Sequence, residues 1–191
     1  MKPFAALALA VILVSNASAQ RQVFAINADA SQVKMTLKTT HEVVHGEFHV
    51  QSGSIEFDHN APAMTGSVIV LAGSGKTGNG TRDKRMNKEI LQVEQHTTVS
   101  FSPRSYTGTI ASVGDSTIQV SGTFTLLDKP HEITIPMLVH LAGATATATA
   151  HFSIPYTQWG LKDPSILFWR ADKEVAIDLF LSGQLLKRPT V

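Results

Sequence analysis

Cysteine is absent from all 191 residues. Disulfide staples, a lipoprotein anchor and thiolate metal sites are therefore excluded, and stability must come from an ordinary hydrophobic core. Charge of neither sign is in excess, with 16 Lys and Arg against 15 Asp and Glu. No nucleic-acid partner is expected of so neutral a chain, because such binding leans on phosphate neutralisation. Long hydrophobic runs are also missing. The one unbroken apolar run, Phe4 to Val14, falls short of the roughly 20 residues that span a bilayer, so no integral membrane segment is expected in the mature chain. That run follows the basic Lys2 and precedes the small-x-small site Ala17-Ser18-Ala19. This is the pattern of a cleaved secretory signal peptide over residues 1–19, which predicts export to the periplasm and leaves 20–191 as one soluble domain.

From Gln22 onward the chain alternates with period two. Val33, Met35 and Leu37 alternate with Lys34, Thr36 and Lys38. Val99 and Phe101 do the same, as do Ile118, Val120, Gly122, Phe124 and Leu126, and later Val175, Ile177, Leu179 and Leu181. Each run reads as a strand with one face buried and one wet. Turn signals separate the runs at Gln51 to Ser54, Asp58-His59-Asn60, Gly114-Asp115-Ser116, Asp128-Lys129-Pro130 and Gly160 to Pro164. Short connections imply antiparallel neighbours, and about eight to ten strands suit an up-and-down barrel or a sandwich. One short helix is predicted near residues 81–91, capped by Asn79 or Thr81, with Met86, Ile90 and Leu91 as its apolar stripe.

The stretch Gly143 to Ala150 alternates alanine with threonine and leads into His151-Phe152-Ser153-Ile154. One face then offers mostly methyl groups, which do not fill a core. An eight-stranded barrel is just wide enough to be packed solid or to hold one small ligand, and small inward residues favour the cavity. The alternative is that Phe48, Phe101 and Phe124 fill the gap from the opposite wall. Inward candidates are Met35 and Leu37 on an early strand, then Phe48 and Val70, then Phe101 and Phe124. Ile135, Ala146, Ala148 and Phe152 complete the candidate ligand-binding wall.

Two motifs suggest other chemistry. His41-Glu42-Val43-Val44-His45 spells H-E-x-x-H, which holds zinc when it lies on a helix, where residues four apart are about 6 Å apart. In a strand the two histidines stand roughly 13 Å apart, too far to share a metal. Val43, Val44 and Gly46 favour the strand. Val33, Met35 and Leu37 are odd-numbered whereas Phe48 and Val50 are even, so the chain changes face between them, as at a hairpin tip or a bulge. Gly73 to Gly80 contains G-K-T but lacks the earlier glycine and the following helix of a phosphate-binding loop. The basic cluster Arg82, Lys84, Arg85 and Lys88 reads either as a solvated helix face or as a headgroup clamp at a cavity mouth. No nucleophile turn and no carboxylate pair stands out, so no enzyme activity and no cofactor are expected.

With these residues in view the chain resembles the YceI-like family of exported, lipocalin-like antiparallel barrels. The resemblance runs over about residues 22–182. It rests on Ser31 to Leu37, Val44 to Phe48, Gly53 to Asp58, Thr77 to Met86, Gly122 to Thr125 with Lys129-Pro130, and Trp159-Gly160. It implies a single all-β barrel with an apolar channel that binds an isoprenoid or similar amphiphilic lipid, of the polyprenyl phosphate or quinone type, without catalysis. Arg82 and Asp83 match the family's R-D pair, and His45, Arg82 and Arg85 are the candidate headgroup residues at the rim. Exposed strand edges and the family analogy leave a homodimer open. Two other readings stand beside this one. One is a metal-dependent hydrolase using His41, His45 and a distant His96 or His151. The other is a filled, ligand-free barrel acting as a stress or interaction module.

Overall fold

A computed structural model describes residues 21–59 and 61–187. The expected signal peptide, residues 1–19, lies outside them. Among the described residues ten strands form one antiparallel sheet: β1 (Arg21–Ile26), β2 (Gln32–Lys38), β3 (Val43–Phe48), β4 (Val50–Asp58), β5 (Ala61–Leu71), β6 (Thr98–Thr107), β7 (Gly114–Leu126), β8 (Lys129–Ala142), β9 (Thr145–Ile154) and β10 (Val175–Lys187). The ten strands make eight staves. β1 and β2 are halves of one stave, interrupted by a short turn that Asn27 caps through its side-chain oxygen, and both pair with β10. β3 and β4 are halves of the next, with β3 on β2 and β4 on β1. The remaining staves follow in chain order, and pairing of β10 with β1 and β2 closes the barrel.

Period-two alternation becomes inside and outside once the barrel closes, and two irregularities adjust the parity. The turn after Lys38 carries Thr39 to Glu42, so Val44 faces inward after the odd-numbered Val33, Met35 and Leu37. A bulge between Val50 and Ser52 switches the inward set again, to Ile55 and Phe57. The Gln51 to Ser54 turn signal is therefore corrected to a bulged strand, because both sides of that segment keep their ladder partners. Gly114-Asp115-Ser116 likewise opens β7, the chain having turned just before it.

Both ends of the barrel are built from hydrogen-bonded loops. At one end the buried Tyr106 hydroxyl donates to the carbonyl of Asp58 at 2.7 Å, and His59 Nδ1 lies 3.0 Å from the carbonyl of Ile110. Burial, then the nearby Asp58, pushes the Tyr106 phenol up from its ordinary value, so it remains a donor. Phe24, Phe57, Met64 and Ile110 pack behind this seal. At the other end Leu127 and Asp128 form a two-residue hairpin turn, both with positive φ. A left-handed Leu is costly, and burial of the Leu127 side chain beside Leu126 and Ile154 offsets that cost.

The closing seam depends on one missing side chain. A Cβ at Gly183 would lie 2.1 Å from the backbone oxygen of Ala25. No rotamer change relieves that clash. Gly183→Val is expected to lower stability by about 3 kcal/mol or more, read as a urea midpoint shift. An unchanged midpoint would show that the seam does not need this approach.

Candidate functional site

Inward side chains do not fill the closed barrel. A cavity of about 780 Å³ remains, walled almost entirely by apolar groups. The reason lies on β9. Ala146 and Ala148 face inward between Leu141 and Val139 of β8 and Gly183 and Leu181 of β10, so the centre of that wall contributes only methyl groups. Phe101 and Phe124 project from other staves, and Phe152 from farther along β9, without bridging the space. Phe124 meets Phe152 and Trp159 edge to face or tilted, with ring centroids 6.5 and 5.5 Å apart, which holds the aromatics against the wall. The filled-barrel reading is not what the packing shows.

All ten residues taken as inward candidates from alternation line this cavity: Met35, Leu37, Phe48, Val70, Phe101 and Phe124, then Ile135, Ala146, Ala148 and Phe152. Arg82 and Arg85 line it too. His45 does not. Inward Val44 forces its neighbour out, and the exposed His45 ring contacts Thr36 on the outer surface at 3.1 Å. The expected rim position of His45 is corrected accordingly.

Polar groups gather at one end, where three segments make a mouth. The β2–β3 turn brings Thr39 and Glu42, the loop 155–174 brings Pro164, Ile166 and Trp169, and the segment 77–85 brings Thr77, Asn79, Arg82 and Arg85. The helix here, α1 (Gly80–Arg85), is shorter than the predicted 81–91 and continues as a single wider turn over Met86–Ile90. Its side chain at Asn79 caps the backbone N–H groups of Thr81 and Arg82, each at 3.1 Å. Glycine lets this segment approach β3. A Cβ on Gly75 would lie 2.5 to 2.8 Å from Met86 and Phe48. Lys76 and Glu47 exchange backbone hydrogen bonds of 2.9 and 3.0 Å, so the segment completes the wall where β5 has ended.

The R-D pair divides into two roles. Asp83, only 8% exposed, accepts from the backbone N–H and the hydroxyl of Thr77 at 2.9 and 2.6 Å. It fastens the turn that precedes its own helix and does not reach the cavity. Arg82 lies across that fastening. Its Nε donates to the Thr77 hydroxyl at 2.9 Å, Nη2 to the Thr77 carbonyl at 3.0 Å, and Nη1 to Glu42 at 2.7 Å. Arg85 is paired with Glu89 at 3.6 Å, and Lys162 reaches the same carboxylate at 2.8 Å from the far side of the mouth. Lys162, and then Arg85, hold the Glu89 carboxyl below its ordinary value.

Loop 155–174 was legible only as the turn Gly160 to Pro164, yet it frames half of the opening. Tyr156 lines the cavity and donates to the carbonyl of Asp172 at 2.7 Å. Burial, then Asp163 and Asp172, push its phenol up to about 12. Asp163 accepts from the backbone and hydroxyl of Ser165 at 3.0 and 2.6 Å and pairs closely with Lys173. The Ser165 hydroxyl in turn accepts from the Ala171 N–H at 2.9 Å. The histidines of the hydrolase reading are dispersed. His41 packs edge-on against Trp169, while His96 and His151 pair with Asp128 and Asp178. No group of three metal-ligating side chains converges among the described residues.

The YceI-like domain matches residues 24–182. A UPF0312 protein of Pseudomonas putida strain F1 is 25% identical over 192 aligned positions, covering 93% of this chain and 96% of the relative. Among solved structures, BcnA of Burkholderia cenocepacia superposes with a TM-score of 0.67 at 18% identity, covering 83% of this chain and 99% of BcnA. A polyisoprenoid-binding domain of Saccharophagus degradans, implicated in plant cell wall breakdown, superposes with a TM-score of 0.63 at 16% identity, covering 90% and 100%. At these identities the likeness is one of fold.

Asp163 gives the loop a defined pH response. The bonds from Lys173 and Ser165 hold its carboxyl at about 2, from an ordinary 3.8. A depressed carboxylate contributes stability fully above its unfolded value and loses it as pH falls through the folded one. Asp163→Asn is therefore expected to melt below the wild type at pH 6, with the difference shrinking between pH 4 and 2. A difference that stays constant over that range would show that the charge of Asp163 is not what secures the loop.

Proposed function

Because the chain belongs to the YceI-like family, we propose that its barrel is an exported, periplasmic and non-catalytic binder of a single isoprenoid-like amphiphile, with the apolar tail in the cavity and the polar end at the Arg82 and Arg85 mouth. The observation that carries this reading is the apolar cavity of about 780 Å³ inside the barrel, whose charged lining residues, Glu42, Arg82 and Arg85, all stand at one end. Ligand pockets run from roughly 300 to 1,000 Å³ and bury most of what they hold. Each methylene taken from water is worth about 0.8 kcal/mol before ordering costs, so a long tail supplies the affinity and the mouth supplies orientation. That a domain of the same fold from Saccharophagus degradans is polyisoprenoid-binding supports the isoprenoid class.

The mouth favours a phosphate end over a quinone. Arg82 is already aligned by Thr77, and its bond to Glu42 is a partly exposed ion pair. Such pairs are worth about 0 to 1 kcal/mol, whereas guanidinium bonds to phosphate are short, charge-assisted and often bidentate. A phosphate can displace Glu42 without disturbing the anchor at Thr77.

The test is a fluorescence titration of delipidated protein with an anthracene-tagged prenyl phosphate, the matching prenyl alcohol and a tagged saturated fatty acid. Ala148→Phe fills the centre of the cavity and is expected to weaken prenyl phosphate binding at least tenfold while circular dichroism stays native. Glu42→Gln is expected to tighten the phosphate and leave the alcohol unchanged. Equal binding by Ala148→Phe, or no preference for the prenyl chain over the fatty acid, would contradict the reading.

A further inference from the structure

The two most exposed large apolar residues of the described chain stand side by side at the cavity mouth. Leu167 and Phe168 are 87% and 88% exposed. They form the tip of a tight turn whose base is a reciprocal backbone bridge, Ile166 N–H to the Trp169 carbonyl at 2.9 Å and Trp169 N–H to the Ile166 carbonyl at 2.8 Å. Leu167 takes a positive φ of 49°, a position that glycine or asparagine fills at least cost. The residues chosen here are those that gain most by leaving water.

The tip is held out rather than left to collapse onto the barrel. The Thr40 N–H donates to the Arg170 carbonyl at 2.9 Å, and the Asp172 N–H donates to the Lys38 carbonyl at 2.9 Å. The Thr40 hydroxyl donates to the Phe168 carbonyl at 3.3 Å and accepts from the Arg170 N–H at 3.2 Å. Below the tip, Ile166 and Trp169 line the cavity. An apolar track therefore runs from Leu167 and Phe168 into the barrel.

Charge around the tip is mixed, with exposed Asp172 and Glu174 on the same loop, and basic on balance. Arg170 beside it, and Lys84 and Lys88 on the helical segment that forms another side of the mouth, are exposed and have no ion pair among the described residues. A specific protein interface buries roughly 1,200 Å² or more, far beyond a two-residue tip. Insertion of apolar side chains about 5 to 10 Å into a headgroup layer, helped by basic residues, needs no larger surface.

We propose that the Leu167-Phe168 turn inserts into the interfacial layer of an anionic bilayer and seats the cavity mouth against it, so that an apolar chain passes between membrane and barrel without crossing water. The transfer step rests on the cavity being a lipid site, whereas the docking step does not.

The experiment is flotation of the mature chain, residues 20–191, with phosphatidylglycerol/phosphatidylcholine vesicles and with pure phosphatidylcholine vesicles, comparing the wild type with the double variant Leu167→Ser, Phe168→Ser. Both residues are solvent-exposed, so the variant is expected to fold, and its melting curve checks this. The wild type is expected to float with anionic vesicles, less so at high salt, and the double variant at least tenfold less. In a Trp159→Phe background, Trp169 fluorescence is expected to be quenched by brominated lipid in the same vesicles. Equal flotation by the two proteins overturns the proposal. So does concentration-dependent self-association of the wild type without flotation, which would assign the tip to a second copy. Binding of the prenyl phosphate in detergent solution is measured in parallel and is expected to be the same in both. If neither protein binds the probe while only the wild type floats, the cavity reading and the transfer step fall and docking stands.

Discussion

A closed barrel must fill its own interior, and here the rest of the structure follows from the fact that it does not. Eight staves enclose a fixed width, and β9 spends its inward positions on Ala146 and Ala148. Larger residues at those two positions would close the space and make a conventional core. With methyl groups there, the aromatic rings of Phe101, Phe124 and Phe152 have no partner across the axis and pack along the wall. Stability is retained at the two ends, where Tyr106, Tyr156 and the turn at Leu127 and Asp128, with Leu127 buried, tie loops to strands. The cavity is walled by groups that gain nothing from water, which is the arrangement a hydrophobic ligand completes.

The second constraint is how the mouth stays ordered while carrying charge. Asp83 is buried, but both its partners come from Thr77, so its cost of desolvation is met locally. That frees Arg82 to face the opening with its orientation already set. The Glu89, Arg85 and Lys162 cluster then links the helical segment to loop 155–174, and the Asp163 network fixes the base of the same loop. The site is thus a rigid apolar container with a rim held by exchangeable ion pairs.

Much of this was legible in the sequence because the barrel is a period-two object. Alternation in Val33 to Leu37, Ile118 to Leu126 and Val175 to Leu181 identified strands and faces together, and the alanine and threonine stretch marked the thin wall. H-E-x-x-H read correctly as a hairpin once Val43, Val44 and Gly46 were weighed. What was missed depends on contacts between distant segments. The bulge after Val50 turned an apparent loop into a strand. The Glu42 to Arg82 bond joins residues that no local pattern relates. Inward Val44 placed His45 outside, which parity alone implied once the turn length was known. Loop 155–174 carries no periodicity, so the apolar track over the mouth had no signal except an unusual run, Ile166 to Trp169.

The most direct test of the central claim is native mass spectrometry of the protein purified from its own cells without detergent, followed by organic extraction. The expected result is one added mass per barrel, released as an isoprenoid with a phosphate end, and absent from Ala148→Phe purified in the same way. A wild-type protein that emerges at its bare polypeptide mass, or that carries only a trace mixture of bulk phospholipids, would contradict the account.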